Sequence, residues 1–360
     1  MDKPYRVGYM LGDGIGPEIV PAARLTVERA VAVAGAPPLE WVELPMGASA
    51  LEEHGSPMPA ANKKILAECD GWLLGPHDSA SYPKEWLERL ERPPGGELRH
   101  FFDLYANLRP SRNRPGVSGV VGGVDLVTVR ENTEGFYVDR NMVRGSGEFM
   151  PTPDTALVVG VFTRKAIRRI AVTAFELART RRRHVTVVHK SNVIPLAFGL
   201  FVEECEAVGR DYPDVRLDAY LFDAMTAHLV RHPQDFDVIV AENMFGDTLS
   251  DLAGELVGGL GMSAALNAGD DHAMAQAAHG SAPDIAGQGI SNPVGMMLSS
   301  AMLLTWMGTK HADPRLHEAA TRIENAVDLT LENGPRTGDL GGSATTVEFA
   351  EAVEAAITDA

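Results

Sequence analysis

The sequence predicts an α/β protein built on a largely parallel sheet. Two observations carry that expectation. Short apolar runs alternate with longer amphipathic ones along the chain. The apolar runs also end in polar or glycine-bearing turns, at the carboxyl ends of strands where sites in such folds gather. Arg6–Leu11 reads as a strand, Glu18–Ala34 as a helix and Gly71–Leu74 as a strand. Leu126–Arg130, Val185–His189 and Val238–Ala241 are further buried-strand candidates. Helical patterns return at Val294–Gly308 and at His317–Leu331, the second stopped by Asn333-Gly334-Pro335. Asp139–Pro153 is rich in Gly, Arg, Ser and Pro and lacks periodicity, and reads as an inserted loop or an inter-subunit arm.

The 360 residues are 45% hydrophobic and 22% charged, proportions of a folded chain long enough for about two domains. Lys and Arg total 32 against 49 Asp and Glu, a net charge of −17. That excess disfavours general affinity for nucleic acid or anionic membrane, which positive charge drives. Arg179-Thr180-Arg181-Arg182-Arg183 is the one basic cluster and is expected to be a solvated helix end. Cys69 and Cys205 are too few and too far apart for a disulfide framework, which fits a reducing cytoplasm. No signal-peptide core is visible, and the longest apolar stretches, such as Ala156–Phe162, are far short of the roughly 20 residues that span a bilayer.

Six segments carry candidate chemistry. In Gly12-Asp13-Gly14-Ile15-Gly16-Pro17-Glu18, Pro17 stands where a dinucleotide fingerprint needs glycine, so the segment reads as a tight turn with Pro17 opening a helix and Glu18 complementing its positive end. In Gly246-Asp247-Thr248-Leu249-Ser250-Asp251, a helix starting near Gly246 puts Asp247 and Asp251 on one face. Like charges so placed repel, and a hard divalent cation such as Mg²⁺ or Mn²⁺ converts the repulsion into binding. The structural alternative, acids near a helix N-terminus, covers Asp247 but not Asp251. Arg130, Tyr137 and Lys190 follow strand candidates in Val129–Tyr137 and His189–Asn192, where an arginine can fork a carboxylate and Tyr or Lys can exchange protons. Glu97–His100 and Leu104–Pro110 add Arg99 and Arg109, so three arginines can converge on one anion. His279–Gly287 with Ser291-Asn292-Pro293 is a Gly- and Pro-bearing loop whose Asp284 suits ribose hydroxyls. No phosphate-loop or nucleophile-elbow motif occurs, which removes the main support for kinase and serine-hydrolase readings.

Together, LYANLRP, VRENTEGFY, HKSN, GDTLSD and HGSAPDIAG resemble the β-decarboxylating dehydrogenases of the isocitrate/isopropylmalate dehydrogenase family, from Gly12 to about Phe349. The resemblance implies an isopropylmalate dehydrogenase-like fold, with two α/β domains sharing a continuous mixed sheet and no ordinary Rossmann nucleotide site. Residues 1–104 with 258–360 would bind NAD. Residues 105–257 would carry metal, substrate and the dimer contact. Each active site would then be shared between two subunits of a homodimer, with a tetramer of dimers left open.

By the same resemblance, Asp247 and Asp251 of one subunit and Asp223 of the other look like ligands for Mg²⁺ or Mn²⁺, which would act as a Lewis acid on the C2 oxygen. Arg99, Arg109 and Arg130 look like the clamp for the carboxylate that is lost. Lys190 of the partner subunit would help take the hydroxyl proton as hydride passes to NAD⁺, and Tyr137 would protonate C3. His279, Gly280, Ser281, Ala282, Asp284, Ile285 and Asn292 would surround the adenosine, and Asn192 would lie near the nicotinamide. Asp followed by Ile after the Pro of HGSAP resembles NAD-dependent members, whereas NADP-dependent members present Lys and Tyr.

Substrate positions depart from each relative. Pro93 and Gly95 replace the Ser and Asn of isocitrate enzymes, while Arg92, Gly95 and Gly96 replace the Glu and Leu pair of isopropylmalate enzymes. The RENTEG form, Lys190–Phe201 and Leu329–Thr346 resemble homoisocitrate-type enzymes, although Gly96 stands where those carry arginine. The expectation is a 3-substituted malate of homoisocitrate type, or one with a bulkier C3 group admitted by Gly95 and Gly96 or met by Arg92. 3-Isopropylmalate, isocitrate and tartrate remain the alternatives, as does a non-catalytic regulatory subunit. Gln276 for the Glu of EPVHG and His100 for the Lys of LRK are further departures.

Overall fold

The computed structural model describes residues 3–87, 92–137 and 147–358. Its strands are β1 (Tyr5–Met10), β2 (Leu39–Glu43), β3 (Gly71–Leu74), β4 (Ala106–Arg112), β5 (Asp125–Glu131), β6 (Glu148–Thr152), β7 (Thr155–Val158), β8 (His184–His189), β9 (Arg216–Leu221), β10 (Val238–Ala241), β11 (Leu266–Ala268) and β12 (Ala273–Ala275). The helices are α1 (Gly16–Val33), α2 (Ala48–His54), α3 (Ala60–Leu66), α4 (Lys84–Leu87), α5 (Pro94–Phe101), α6 (Arg164–Arg179), α7 (Pro195–Gly209), α8 (Phe222–Arg231), α9 (Asn243–Val257), α10 (Val294–His311), α11 (Pro314–Asn333) and α12 (Thr346–Ala356).

Ten strands form one sheet in the order β2-β1-β3-β12-β11-β4-β5-β10-β8-β9. The sheet is mixed and largely parallel, as expected: β11 runs antiparallel to β12 and β4, β4 runs antiparallel to β5, and the other pairings are parallel. The sequence pattern misses β2, β4, β9, β11 and β12. Three-residue strands such as β11 and β12 are too short to show alternation, and β4 carries the polar LYANLRP motif.

The buried clusters explain the sheet's continuity. Two draw only on residues up to Leu104 and from Met262 onward, among them Ile19, Val27, Leu303, Ile323 and Phe349. Two others draw only on residues from Ala106 to Val257, among them Phe175, Phe201, Val240 and Leu249. The seam between them is the antiparallel pair β4 and β11, with Leu266 opposite Leu108.

Two segments singled out in the sequence gain structural detail. Residues 139–146 of the Asp139–Pro153 segment lie outside the described residues, and the remainder carries β6, hydrogen-bonded to β7 in a two-stranded ribbon with Phe149, Met150, Leu157 and Val158 exposed. The basic cluster is the solvated end of α6, as expected, with Arg179, Arg182 and Arg183 exposed; Arg181 alone turns inward and donates to Asp237 (2.7 Å) and Asp125 (2.8 Å), of which Asp237 is fully buried. Among the described residues no helix is long and apolar enough to cross a membrane.

Candidate active site

The site gathers at the carboxyl ends of the strands around the seam. β5 and β10 lie parallel with Arg130 opposite Ala241, so Arg130 meets the start of α9. Helix α9 begins at Asn243, three residues earlier than expected, because the Glu242 carboxylate caps it by accepting from the Phe245 and Met244 amides (2.8 and 3.1 Å). Asp247 and Asp251 therefore sit inside the helix, one turn apart, and neither is the cap. Gly246 permits the approach: a Cβ there would lie 2.7 Å from the Arg130 side chain.

Arg109 joins the two acids. Its Nη1 lies 3.0 Å from an oxygen of each of Asp247 and Asp251 and donates to Ser250 Oγ at 2.9 Å, while its Nε donates to Asn107 Oδ1. Arg130, only 2% exposed, donates to Asn243 Oδ1 at 2.9 Å and pairs with Asp247. Tyr137 Oη donates to the other Asp247 oxygen at 3.1 Å. Burial alone would raise the Asp247 carboxyl, but Arg130 and Arg109 outweigh it and hold it below its ordinary value. Burial wins at Asp251, whose carboxyl is raised, and at Tyr137, where Asp247 adds to the rise.

Arg99 reaches the same place from α5 and donates to Gln276 Oε1 at 2.8 Å. A cavity of about 180 Å³ is lined by Arg99, Arg109, His77, Gln276, His279 and Gly280, so two expected clamp arginines and the start of the expected cofactor loop face one space. Gly95 and Gly96 are buried in α5. Arg92 instead stands near His100, whose imidazole is lowered first by burial and then by that guanidinium.

The loop from His279 is held against the N-terminal turn. Ser281 O accepts from the Ile15 amide (2.9 Å), and Glu18, expected only to complement α1, accepts from Gly287 N and Ser291 Oγ (both 2.8 Å). Ala282 has a positive φ of 41°, His279 Nε2 is buried without a hydrogen-bond partner, and the Asp284 side chain is exposed. Ile285 is half-buried. Asn292 is bonded within the chain, donating to Asp339 (2.8 Å) and accepting from Val294 N (3.0 Å).

Lys190 and Asp223 lie apart from this cluster. They pair with each other at the ends of β8 and β9, Asp223 with 67% of its side chain exposed, and Asn192 beside them is exposed. Among the described residues no three acids, histidines or cysteines of one chain come together as a metal site. Sequence reasoning missed the partners Asn107, Ser250 and Asn243 and the cavity residue His77. The first two lie within recognised motifs and Asn243 stands three residues before one, but hydrogen-bonding roles leave no periodic signal.

The chain as a whole is matched by relatives. A model of the family described as Isocitrate/isopropylmalate dehydrogenase matches residues 6–355. The chain belongs to this family. It is 43% identical over 98% of both chains to the isocitrate/homoisocitrate dehydrogenase of Thermus thermophilus. It is 38% identical to the 3-isopropylmalate dehydrogenase of Archaeoglobus fulgidus, covering 95% of this chain and 96% of that one. The crystal structure of isocitrate dehydrogenase from Methylococcus capsulatus superposes with a TM-score of 0.86 at 37% identity, over 98% of this chain and 99% of that one. The family is one of oxidoreductases, and its activity class is oxidative decarboxylation of 3-carboxy-hydroxy acids.

Proposed function

We propose that the chain is an NAD-dependent, divalent-metal-dependent dehydrogenase that oxidatively decarboxylates a (2R,3S)-3-substituted malate to a 2-oxo acid, favouring a homoisocitrate-type or bulkier C3 substituent. The observation that carries this reading is Arg109, which contacts both Asp247 and Asp251 while lining one cavity with Arg99 and His279. That adjacency supports an anion clamp, hard oxygen donors and a cofactor loop serving one reaction.

Asp247 and Asp251 fit Mg²⁺ or Mn²⁺ as carboxylate donors one turn apart. Asp223, two-thirds exposed, suits the third ligand from a second copy of the chain. Such an ion supplies Lewis-acid polarisation of the substrate's C2 oxygen when bound. NAD supplies the hydride acceptor when bound, and the exposed Asp284 carboxylate supports NAD over NADP by accepting from ribose hydroxyls and repelling a 2′-phosphate. The unpartnered His279 Nε2 suits that ligand, with Gly280, Ser281, Ala282, Ile285 and Asn292 around it and Asn192 toward the nicotinamide.

Arg99, Arg109 and Arg130 hold the departing carboxylate by charge-assisted forks. Lys190 of the second copy takes up the hydroxyl proton. Tyr137, raised by burial, keeps its proton at neutral pH and delivers it to C3.

A homodimer, or a tetramer of dimers, is supported by the exposed Val193 and Leu196 near Lys190 and by the apolar β6-β7 ribbon. The division into 1–104 with 258–360 and 105–257 is supported by the two sets of buried clusters. Two buried free cysteines support a reducing cytoplasm, and the net charge of −17 argues against a nucleic-acid or anionic-membrane partner.

The test is formation of reduced nicotinamide on isocitrate, homoisocitrate, 3-isopropylmalate, tartrate, malate and 3-benzylmalate, with Mg²⁺ or Mn²⁺ and NAD⁺ or NADP⁺. One strongly preferred 3-substituted malate with NAD⁺ is the expected result. Silence across the panel, with NAD⁺ binding by titration, would overturn the reading in favour of a regulatory subunit.

A further inference from the structure

Asn107 and Asn267 face each other across the seam, in register between β4 and β11, and both are fully buried. Arg109 follows Asn107 by two residues in β4, which puts their side chains on one face of the sheet. Asn132, also fully buried, stands one residue past β5. Three uncharged amides, far apart in the chain, are thus linked in series to the Arg109 guanidinium.

Their hydrogen bonds admit one orientation. Arginine has only donors, so its Nε bond at 3.2 Å fixes Oδ1 as the Asn107 atom toward Arg109. Asn107 Nδ2 then donates to Asn267 Oδ1 at 3.0 Å. The same oxygen accepts from Asn132 Nδ2 at 3.0 Å, and that amide also donates to the Leu104 carbonyl at 2.9 Å. Asn267 Nδ2 is left to donate to the Met274 carbonyl of β12 at 3.4 Å. Backbone carbonyls only accept, so both ends of the series agree with the orientation that Arg109 imposes. With Nε held by Asn107, Arg109 Nη1 lies within 3.0 Å of Ser250 Oγ, Asp247 and Asp251. Arginine has much rotamer freedom to lose, and a bond at Nε removes it before substrate arrives.

We propose that Asn267 is a positioning residue for the decarboxylation: by holding Asn107, it fixes the angle at which Arg109 meets the substrate carboxylate and the two acids. This rests on the dehydrogenase reading above and adds to it a residue that acts only through its neighbours.

The test uses the panel malate that the wild type turns over fastest. Asn267→Leu is nearly isosteric and uncharged but offers no acceptor to Asn107. It is expected to lower kcat/KM for the malate by about 10- to 100-fold with the KM for NAD⁺ little changed. In an Arg109→Lys background, where no Nε–H remains for Asn107 to hold, the same substitution is expected to cost no more than about threefold further, because the two residues act on one group. Should Asn267→Leu fail to fold by circular dichroism, Asn267→Ser withdraws the oxygen from Asn107 and is read in the same two backgrounds. An equal loss in both backgrounds, or a KM that rises as much for NAD⁺ as for the malate, overturns the proposal and assigns Asn267 to packing of the seam. A malate kcat/KM unchanged from wild type in both variants overturns it alone and leaves the dehydrogenase reading standing. No wild-type turnover on any malate overturns that reading and this inference with it.

Discussion

Tyr137 Oη donates to one oxygen of Asp247 at 3.1 Å while Arg130 and Arg109 meet the other. The candidate proton donor and a candidate metal ligand are therefore coupled through one carboxylate, which holds the phenol in place and raises its pKa further above the value burial alone would give.

Tyr137→Phe keeps the ring and removes that proton. It is expected to lower kcat by about 100- to 10,000-fold with little change in substrate KM. Because the Tyr137 pKa is raised, its protonated form persists through neutral and mildly alkaline pH. In the wild type, a kcat profile should show no loss from this group below about pH 10. Loss of kcat at neutral pH that disappears in the Phe variant would contradict this.

Asp247→Asn and Asp251→Asn remove one candidate oxygen ligand charge each. Saturating Mn²⁺ is expected to raise the melting temperature of the wild type by mass action, and this rise should vanish in the double variant. Each single variant should lose at least about a hundredfold in kcat/KM. An unchanged Mn²⁺ shift in the double variant would remove the acids from the metal site.

The buried Glu242 carboxyl is raised to about 7, mainly by loss of water, even though two amides of α9 favour its ionised form. A carboxyl raised above its unfolded value binds extra protons in the folded state, so its effect is to weaken the fold as pH rises from about 4.5 to 7. Glu242→Gln removes this titration. Relative to the wild type, the variant should be more stable at pH 8 than at pH 5, read from urea denaturation at both; equal differences at the two pH values would refute the assignment.

Gly14 has a φ of 59°, and a Cβ there would come within 1.9 Å of Ser281 O. Gly14→Ala must therefore displace the His279–Gly287 loop as well as bear an unfavourable φ, costing about 1 to 3 kcal/mol. The expected signature is a weaker NAD⁺ affinity in fluorescence titration together with a lower melting temperature. Retained affinity in a folded variant would separate this contact from cofactor binding.

The strands flanking the site were legible where burial is total and continuous. β3 and β10 fall on the expected residues, β8 differs by one residue at its start, and β1 and β5 differ by one residue at both ends, because buried strands leave short apolar runs. The shared face of Asp247 and Asp251 was equally legible, since spacing on a helix fixes it. The antiparallel seam was not: β11 and β12 are three residues each, and what makes them strands is pairing to residues far away in the chain.

By itself the sequence determined the α/β class, the motifs and the side chains able to clamp an anion or ligate a hard cation, because periodicity and residue chemistry are local properties. Only the tertiary structure decided that Glu242 rather than Asp247 caps α9, that Glu18 ties down the loop after His279, and that His77 and Gln276 close over Gly95. The cap is a local contact of a carboxyl buried beside its own helix. The other two outcomes depend on which strand ends become neighbours and how closely backbones approach, which is set by the packing of residues far apart in the chain.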